Sequence, residues 1–146
     1  MRAGDISILL VEDNPDDVEI TLRAFKQHNM VNEIIVARDG EEALDILFQR
    51  REESAVQQRP DLILLDLKLP KVDGLEVLKQ VKSHPKTQPI PVVILTSSKE
   101  DTDLVEGYRL GVNSYIRKPV DFDKFSEVVV QLGLYWLLLN ERLPEV

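Results

Sequence analysis

A chain of 146 residues, 43% hydrophobic and 30% charged, has room for one packed domain and the composition of a globular protein, not a disordered one. Lys+Arg 18 against Asp+Glu 26 gives a net charge of −8, which argues against nucleic acid or an anionic membrane surface as a partner. With no cysteine, disulfide frameworks, thiolate metal sites and thiol nucleophiles are excluded. Met1 to Asp5 is polar and shows no signal-peptide core, and the longest apolar run, Leu134 to Leu139, falls far short of the ~20 residues of a spanning helix. The expected address is cytoplasmic.

In chain order, five short aliphatic runs alternate with stretches of helical spacing. Ile6–Val11, Glu33–Ala37, Asp61–Asp66, Ile90–Leu95 and Ser114–Arg117 are short and apolar, as buried strands of a parallel sheet are. Between them, Val18, Leu22 and Phe25 form one helical stripe. Ala43, Leu44, Leu47 and Phe48 form a second, and Leu75, Leu78 and Val81 a third. Leu104, Val105, Tyr108 and Val112 make a fourth, and Phe122 to Leu139 is the fifth and longest helical segment. Asn14-Pro15-Asp16-Asp17 reads as an N-cap, a proline at the first helical position and two acids on the positive end of the helix dipole. Asp39 with Glu42, and Asp73 with Glu76, have capping-box spacing. Gln49–Arg59, rich in Arg, Glu and Gln, is a polar connection or helix extension before the third strand. The pattern predicts an α/β fold, a flavodoxin-like (βα)5 doubly wound parallel sheet of order 2-1-3-4-5, with the whole of residues 1–146 in one domain.

Ligands of open α/β sheets bind beyond the carboxyl ends of the strands. Strand one ends in Glu12-Asp13, strand three in Asp66, strand four in Thr96-Ser97-Ser98 and strand five in Lys118-Pro119. In the order 2-1-3-4-5 these strands are neighbours spaced about 4.8 Å apart, so Asp13 and Asp66 are expected side by side with Thr96 next along the edge. Lys118 then lies about two spacings from Asp66, within reach of its side chain. Three carboxylates at one edge repel one another unless a cation neutralises them, and an all-oxygen donor set with few fixed positions suits Mg²⁺. A Thr hydroxyl and a Lys ammonium match the oxygens of a phosphoryl group, and a carboxylate can act as the nucleophile that forms an acyl phosphate. Any one of these residues alone is an ordinary cap or solvated charge. Together, at four adjacent strand ends, they point to a Mg²⁺-assisted phosphoryl site with Asp66 as the acceptor.

At these residues the chain resembles the response-regulator receiver domain of two-component signalling. The matching stretches are Ile8-Leu-Leu-Val-Glu-Asp-Asn14, Asp61-Leu-Ile-Leu-Leu-Asp-Leu-Lys-Leu-Pro70 with Asp73-Gly74, Val93-Ile-Leu-Thr-Ser97, and Ser114-Tyr-Ile-Arg-Lys-Pro119. Asn14-Pro15-Asp16-Asp17 and the long connection before strand three look like the stand-alone cyanobacterial phytochrome response regulators. The resemblance implies that Asp66 takes a phosphoryl group from a phosphohistidine of a sensor kinase, of the phytochrome class by the finer likeness. It implies Mg²⁺ on Asp13, Asp66 and the Lys68 carbonyl, with Glu12 acting through water. Lys118 and Thr96 would contact the phosphoryl group, Ser97 would keep the pocket open, and Tyr115 would swing with Thr96. The implied protein is not an enzyme on other molecules; it catalyses only its own phosphoryl transfer and dephosphorylation.

After Leu139 only Asn140 to Val146 remain, so output is expected in trans. From Val128 to Leu139 ten of twelve residues are apolar, more than one buried helix face needs. With Tyr135 and Trp136 among them, this predicts a homodimer through helix four, strand five and helix five. His28 and His84, on separate helices, read as solvated surface residues. A scaffold that is never phosphorylated is disfavoured by the intact Glu12, Asp13, Asp66, Thr96 and Lys118. A Mg²⁺ phosphatase is disfavoured by Lys68, where that class has an acid. A flavin carrier is disfavoured by acids where a phosphate loop would lie.

Overall fold

The computed structural model describes residues 7–28, 33–48, 60–96, 109, 111 and 114–117. Five strands, β1 (Ser7–Val11), β2 (Glu33–Ala37), β3 (Leu62–Leu65), β4 (Val92–Thr96) and β5 (Ser114–Arg117), pair in parallel in the order β2-β1-β3-β4-β5. The expected order is therefore borne out. Helices α1 (Pro15–His28), α2 (Gly40–Leu47) and α3 (Gly74–Ser83) follow the first three strands. The expected fourth and fifth helical stripes, the connection Gln49–Arg59, Ser97, Lys118 and the carboxyl-terminal segment lie outside the described residues, apart from Arg109 and Gly111.

The strands are apolar on both sides because both faces of the sheet are covered. Leu9, Val11, Ile63, Leu65, Val92 and Ile94 pack with Ala43 and Leu44 of α2 and Val77, Leu78 and Val81 of α3. The alternate residues Ile8, Leu10, Leu62, Leu64, Val93 and Leu95 pack with Val18 and Phe25 of α1. One expectation needs correction. Among the described residues Leu22 is the exposed large apolar one, and Thr21 is buried on the stripe with Val18 and Phe25. Thr21 tolerates this because its Oγ1 donates to the Asp17 carbonyl at 2.8 Å, so no polar atom is left unmet.

The helix starts follow their caps in two cases out of three. Asn14 Oδ1 accepts from the N–H groups of Asp16 (2.9 Å) and Asp17 (3.3 Å). Asp39 Oδ1 accepts from Glu42 N–H at 2.7 Å, while Glu42 reaches back one residue beyond the cap, to Arg38 N–H at 3.4 Å. Asp73 makes no side-chain cap bond, so the capping box expected with Glu76 does not form. What seats α3 instead is backbone: Gly74 N–H donates to the Leu67 carbonyl at 3.0 Å. At the far end of α3, Lys82 Nζ donates to the carbonyls of Gln88 (3.0 Å) and Ile90 (2.9 Å), and buried Thr87 donates to Val81 O at 2.7 Å. Burial pushes the Lys82 ammonium below its usual value. These bonds satisfy carbonyls at the entry to β4. Among the described residues no helix is long and apolar enough to cross a membrane.

The contrast between caps is measurable. Asp39→Ala should cost about 1 kcal/mol in urea unfolding, and Asp73→Ala only a few tenths. Equal losses at both positions would show that the side-chain cap is not what distinguishes them.

Candidate metal centre

The site is assembled by the ends of β1 and β3. Val11 lies opposite Leu65 in the parallel register, so the residues that follow each strand emerge together. Two backbone bonds continue the ladders past the strand ends: Asp66 N–H to Val11 O at 3.0 Å, and Glu12 N–H to Ala37 O at 2.9 Å. Glu12 and Asp13 are thereby brought to Asp66, and one oxygen from each of the three lies within 4.8 Å of the others. Glu12 is 1% and Asp66 5% exposed, whereas Asp13 faces solvent.

Neighbouring N–H groups help to orient two of them. Asp66 Oδ1 accepts from the Lys68 N–H at 3.1 Å, and Glu12 Oε2 from the Asn14 N–H at 3.3 Å. Oxygens on opposite sides of one divalent ion, each about 2.0–2.6 Å from it, stand about 4–5 Å apart, and the cluster falls within that span. The donors are carboxylate oxygens only, the hard ligands that Mg²⁺, Mn²⁺ and Ca²⁺ take. The residues therefore fit a single divalent cation.

Lys68, whose carbonyl the resemblance makes a ligand, sits exposed two residues after Asp66. Thr96 is the last residue of β4, with its backbone opposite Arg117, and Tyr115 lies within β5 opposite Ile94. Ser97 and Lys118 fall outside the described residues, so the phosphoryl-contacting half of the expected site is placed only by its strands. His84 ends α3, with Nδ1 accepting from Lys86 N–H at 3.1 Å and its ring 5.2 Å from that of Phe48. It is exposed, as expected, but it also covers Phe48.

Two glycines, Gly40 and the Gly74 of the matching stretch, shape the loop that follows Asp66. A Cβ on Gly74 would overlap the Asp66 carbonyl oxygen, and one on Gly40 would overlap the Val72 carbonyl oxygen. Both are the first residue of a helix and both follow an Asp cap. Glycine is a poor helix former, so two Asp-Gly helix starts were a readable sign of close backbone approach.

Residues 8–130 match the family model of the response regulator receiver domain. The chain belongs to that family. It is 45% identical over 133 residues to the probable methanogenesis regulatory protein FilR2 of Methanothrix harundinacea, covering 91% of this chain and 84% of that protein. To response regulator Rcp1 of Synechocystis it is 40% identical over 130 residues, 89% of this chain and 88% of the relative. The Mn²⁺-bound form of Rcp1 superposes with a TM-score of 0.84 at 38% identity, over 97% of this chain and 100% of that one. The phosphorylated cyanobacterial phytochrome response regulator RcpA superposes at 0.85 with 40% identity, covering 96% and 99%. The receiver is thus a phosphoacceptor of two-component signalling whose partners are histidine kinases, it resembles stand-alone phytochrome response regulators, and its acidic cluster is a divalent-cation site.

Three clustered carboxylates, two of them buried, cost stability whenever no cation is bound. Asp13→Asn should therefore raise the urea midpoint of the receiver in EDTA and weaken its gain with Mg²⁺. At a concentration of 100 times its Kd the cation should add about 2.7 kcal/mol to the wild type. A lower midpoint in EDTA for Asp13→Asn would show that repulsion is not the governing effect.

Proposed function

We propose that Asp66 is the phosphoacceptor, that Mg²⁺ is the working cation, and that the donor is a sensor histidine kinase of the phytochrome class. The observation that carries the reading is the placement of nearly buried Asp66 at the end of β3, within one ion's reach of Glu12 and Asp13. Phytochrome regulators among the similar structures support the kinase class. In the transfer an Asp66 oxygen attacks the phosphorus of the phosphohistidine. An O–P bond forms, the P–N bond breaks, and the imidazole nitrogen leaves with the electron pair. Asp13 and Asp66, with the Lys68 carbonyl and with Glu12 through water, would hold the cation, which when bound offsets negative charge on the transferred group.

The chain's own groups do the rest. The Lys68 N–H holds one Asp66 oxygen, which fixes the carboxylate plane for an in-line approach. Lys118 pairs with a phosphoryl oxygen, Thr96 donates its hydroxyl to another, and Ser97 leaves room for the group. Movement of Thr96 opens space that Tyr115 fills, biasing the face of helix four, β5 and helix five. On this reading the protein acts in the cytoplasm, turns over no other substrate and binds no nucleic acid. Residues 1–146 form one receiver unit.

Incubation with Mg²⁺ and a small acyl phosphate should give a hydroxylamine-sensitive phosphate on the wild type and none on Asp66→Asn. Equal labelling of both would overturn the assignment. Self-association belongs to the same reading, through the apolar Val128–Leu139 segment with Tyr135 and Trp136. Light scattering should find a dimer at micromolar protein, and a monomer in both phosphorylation states would refute it.

A further inference from the structure

The loop between β3 and α3 carries Asp66 and the Lys68 N–H that orients it, yet it is gripped by an element outside the acidic cluster. Gly40, the first residue of α2, donates its N–H to the Pro70 carbonyl at 3.3 Å. The space a Cβ would need at Gly40 is taken by the Val72 carbonyl oxygen, with Val72 Cβ 2.8 Å away. Between these contacts Lys71 has φ 67°, and Val72 N–H donates to Pro70 O at 2.8 Å, a γ-turn. Lys71 Nζ lies 3.7 Å from Asp39 Oδ2 and 3.9 Å from Glu41 Oε2, in the first turn of α2 and its cap.

A lysine at positive φ costs about 1–3 kcal/mol and persists only where the surroundings over-determine it. Here α2 supplies that determination, since the exposed ion pairs alone contribute little. The turn begins at Pro70 and is separated from Lys68 only by Leu69, and the ring of Pro70 stiffens that link. Gly40 is thereby linked, through Pro70 and Val72, to the segment whose Lys68 N–H holds Asp66 Oδ1.

We propose that the N-terminus of α2 is the outer support of the cation site, with Gly40 and Lys71 as positioning residues that set the Asp66 carboxylate through the Lys68 N–H. The proposal rests on the reading of Glu12, Asp13 and Asp66 as a divalent-cation site. Mn²⁺ titration of the full chain, followed by its electron paramagnetic resonance without any phosphodonor, tests the two separately. If the wild type does not bind Mn²⁺, the cation-site reading fails.

Given wild-type binding, Gly40→Ala and Lys71→Pro should each weaken Mn²⁺ binding by about tenfold or more, the scale typical of groups that orient metal ligands. Circular dichroism and urea unfolding in EDTA should show both variants folded. Lys71→Asn, which accepts positive φ, should stay within about threefold of the wild type. Binding within about twofold of the wild type in either folded variant overturns the proposal, as does a Lys71→Asn as weak as Lys71→Pro. If Gly40→Ala does not fold, Lys71→Pro decides, because its side chain is exposed and no core packing is lost.

Discussion

The hydrogen bond from Asp66 N–H to the Val11 carbonyl, at 3.0 Å, is the joint on which the site depends. It is the last rung between β1 and β3, one step past the pairing of Val11 with Leu65. A slip of register would separate Asp66 from Glu12 and Asp13. Such a slip is resisted by burial: Leu9, Val11, Ile63 and Leu65 face one helix layer, Ile8, Leu10, Leu62 and Leu64 the other, and each is nearly inaccessible to solvent. The sheet thus supplies the free energy that holds three carboxylates together against their repulsion. The same repulsion favours a divalent cation at this edge, because binding it removes a cost already present in the fold.

Around that joint, two helix N-termini close on the loop that follows Asp66. Gly74 brings α3 against the Asp66 backbone, and Gly40 brings α2 against Val72. Each contact needs a missing side chain, and each comes with an aspartate that ends the preceding segment in extended backbone. The loop that carries Asp66 is in this way held against the starts of both helices. Preorganisation of that kind is what a transfer between two proteins requires, since the acceptor must present one geometry to a donor it meets only briefly.

The similar proteins serve different settings. A methanogenesis regulator and phytochrome response regulators share the receiver with this chain, at 45% and 40% identity. A shared receiver fold therefore does not by itself name the partner.

Residue type and order alone determined the five strands, the order of the sheet and the acids at its edge. Buried parallel strands are near-continuous apolar runs, and right-handed crossovers leave few ways to connect them. The cap at Asn14 and that at Asp39 were legible too, because a side-chain cap is a local interaction. Three features were not. The burial of Thr21 in place of Leu22 turns on which side of α1 meets the sheet, and Thr21 satisfies its hydroxyl within its own helix. The missing side-chain cap of Asp73, and which carbonyl each of Gly40 and Gly74 meets, turn on which backbones come together, and the Asp-Gly helix starts signal a close approach without naming its partner. Lys71 at φ 67° is the sharpest case: nothing about a lysine asks for that conformation, and only the packing of its loop on α2 imposes it. Sequence decided which groups could act at the edge; tertiary structure decided how firmly each is held, because that depends on contacts between segments distant along the chain.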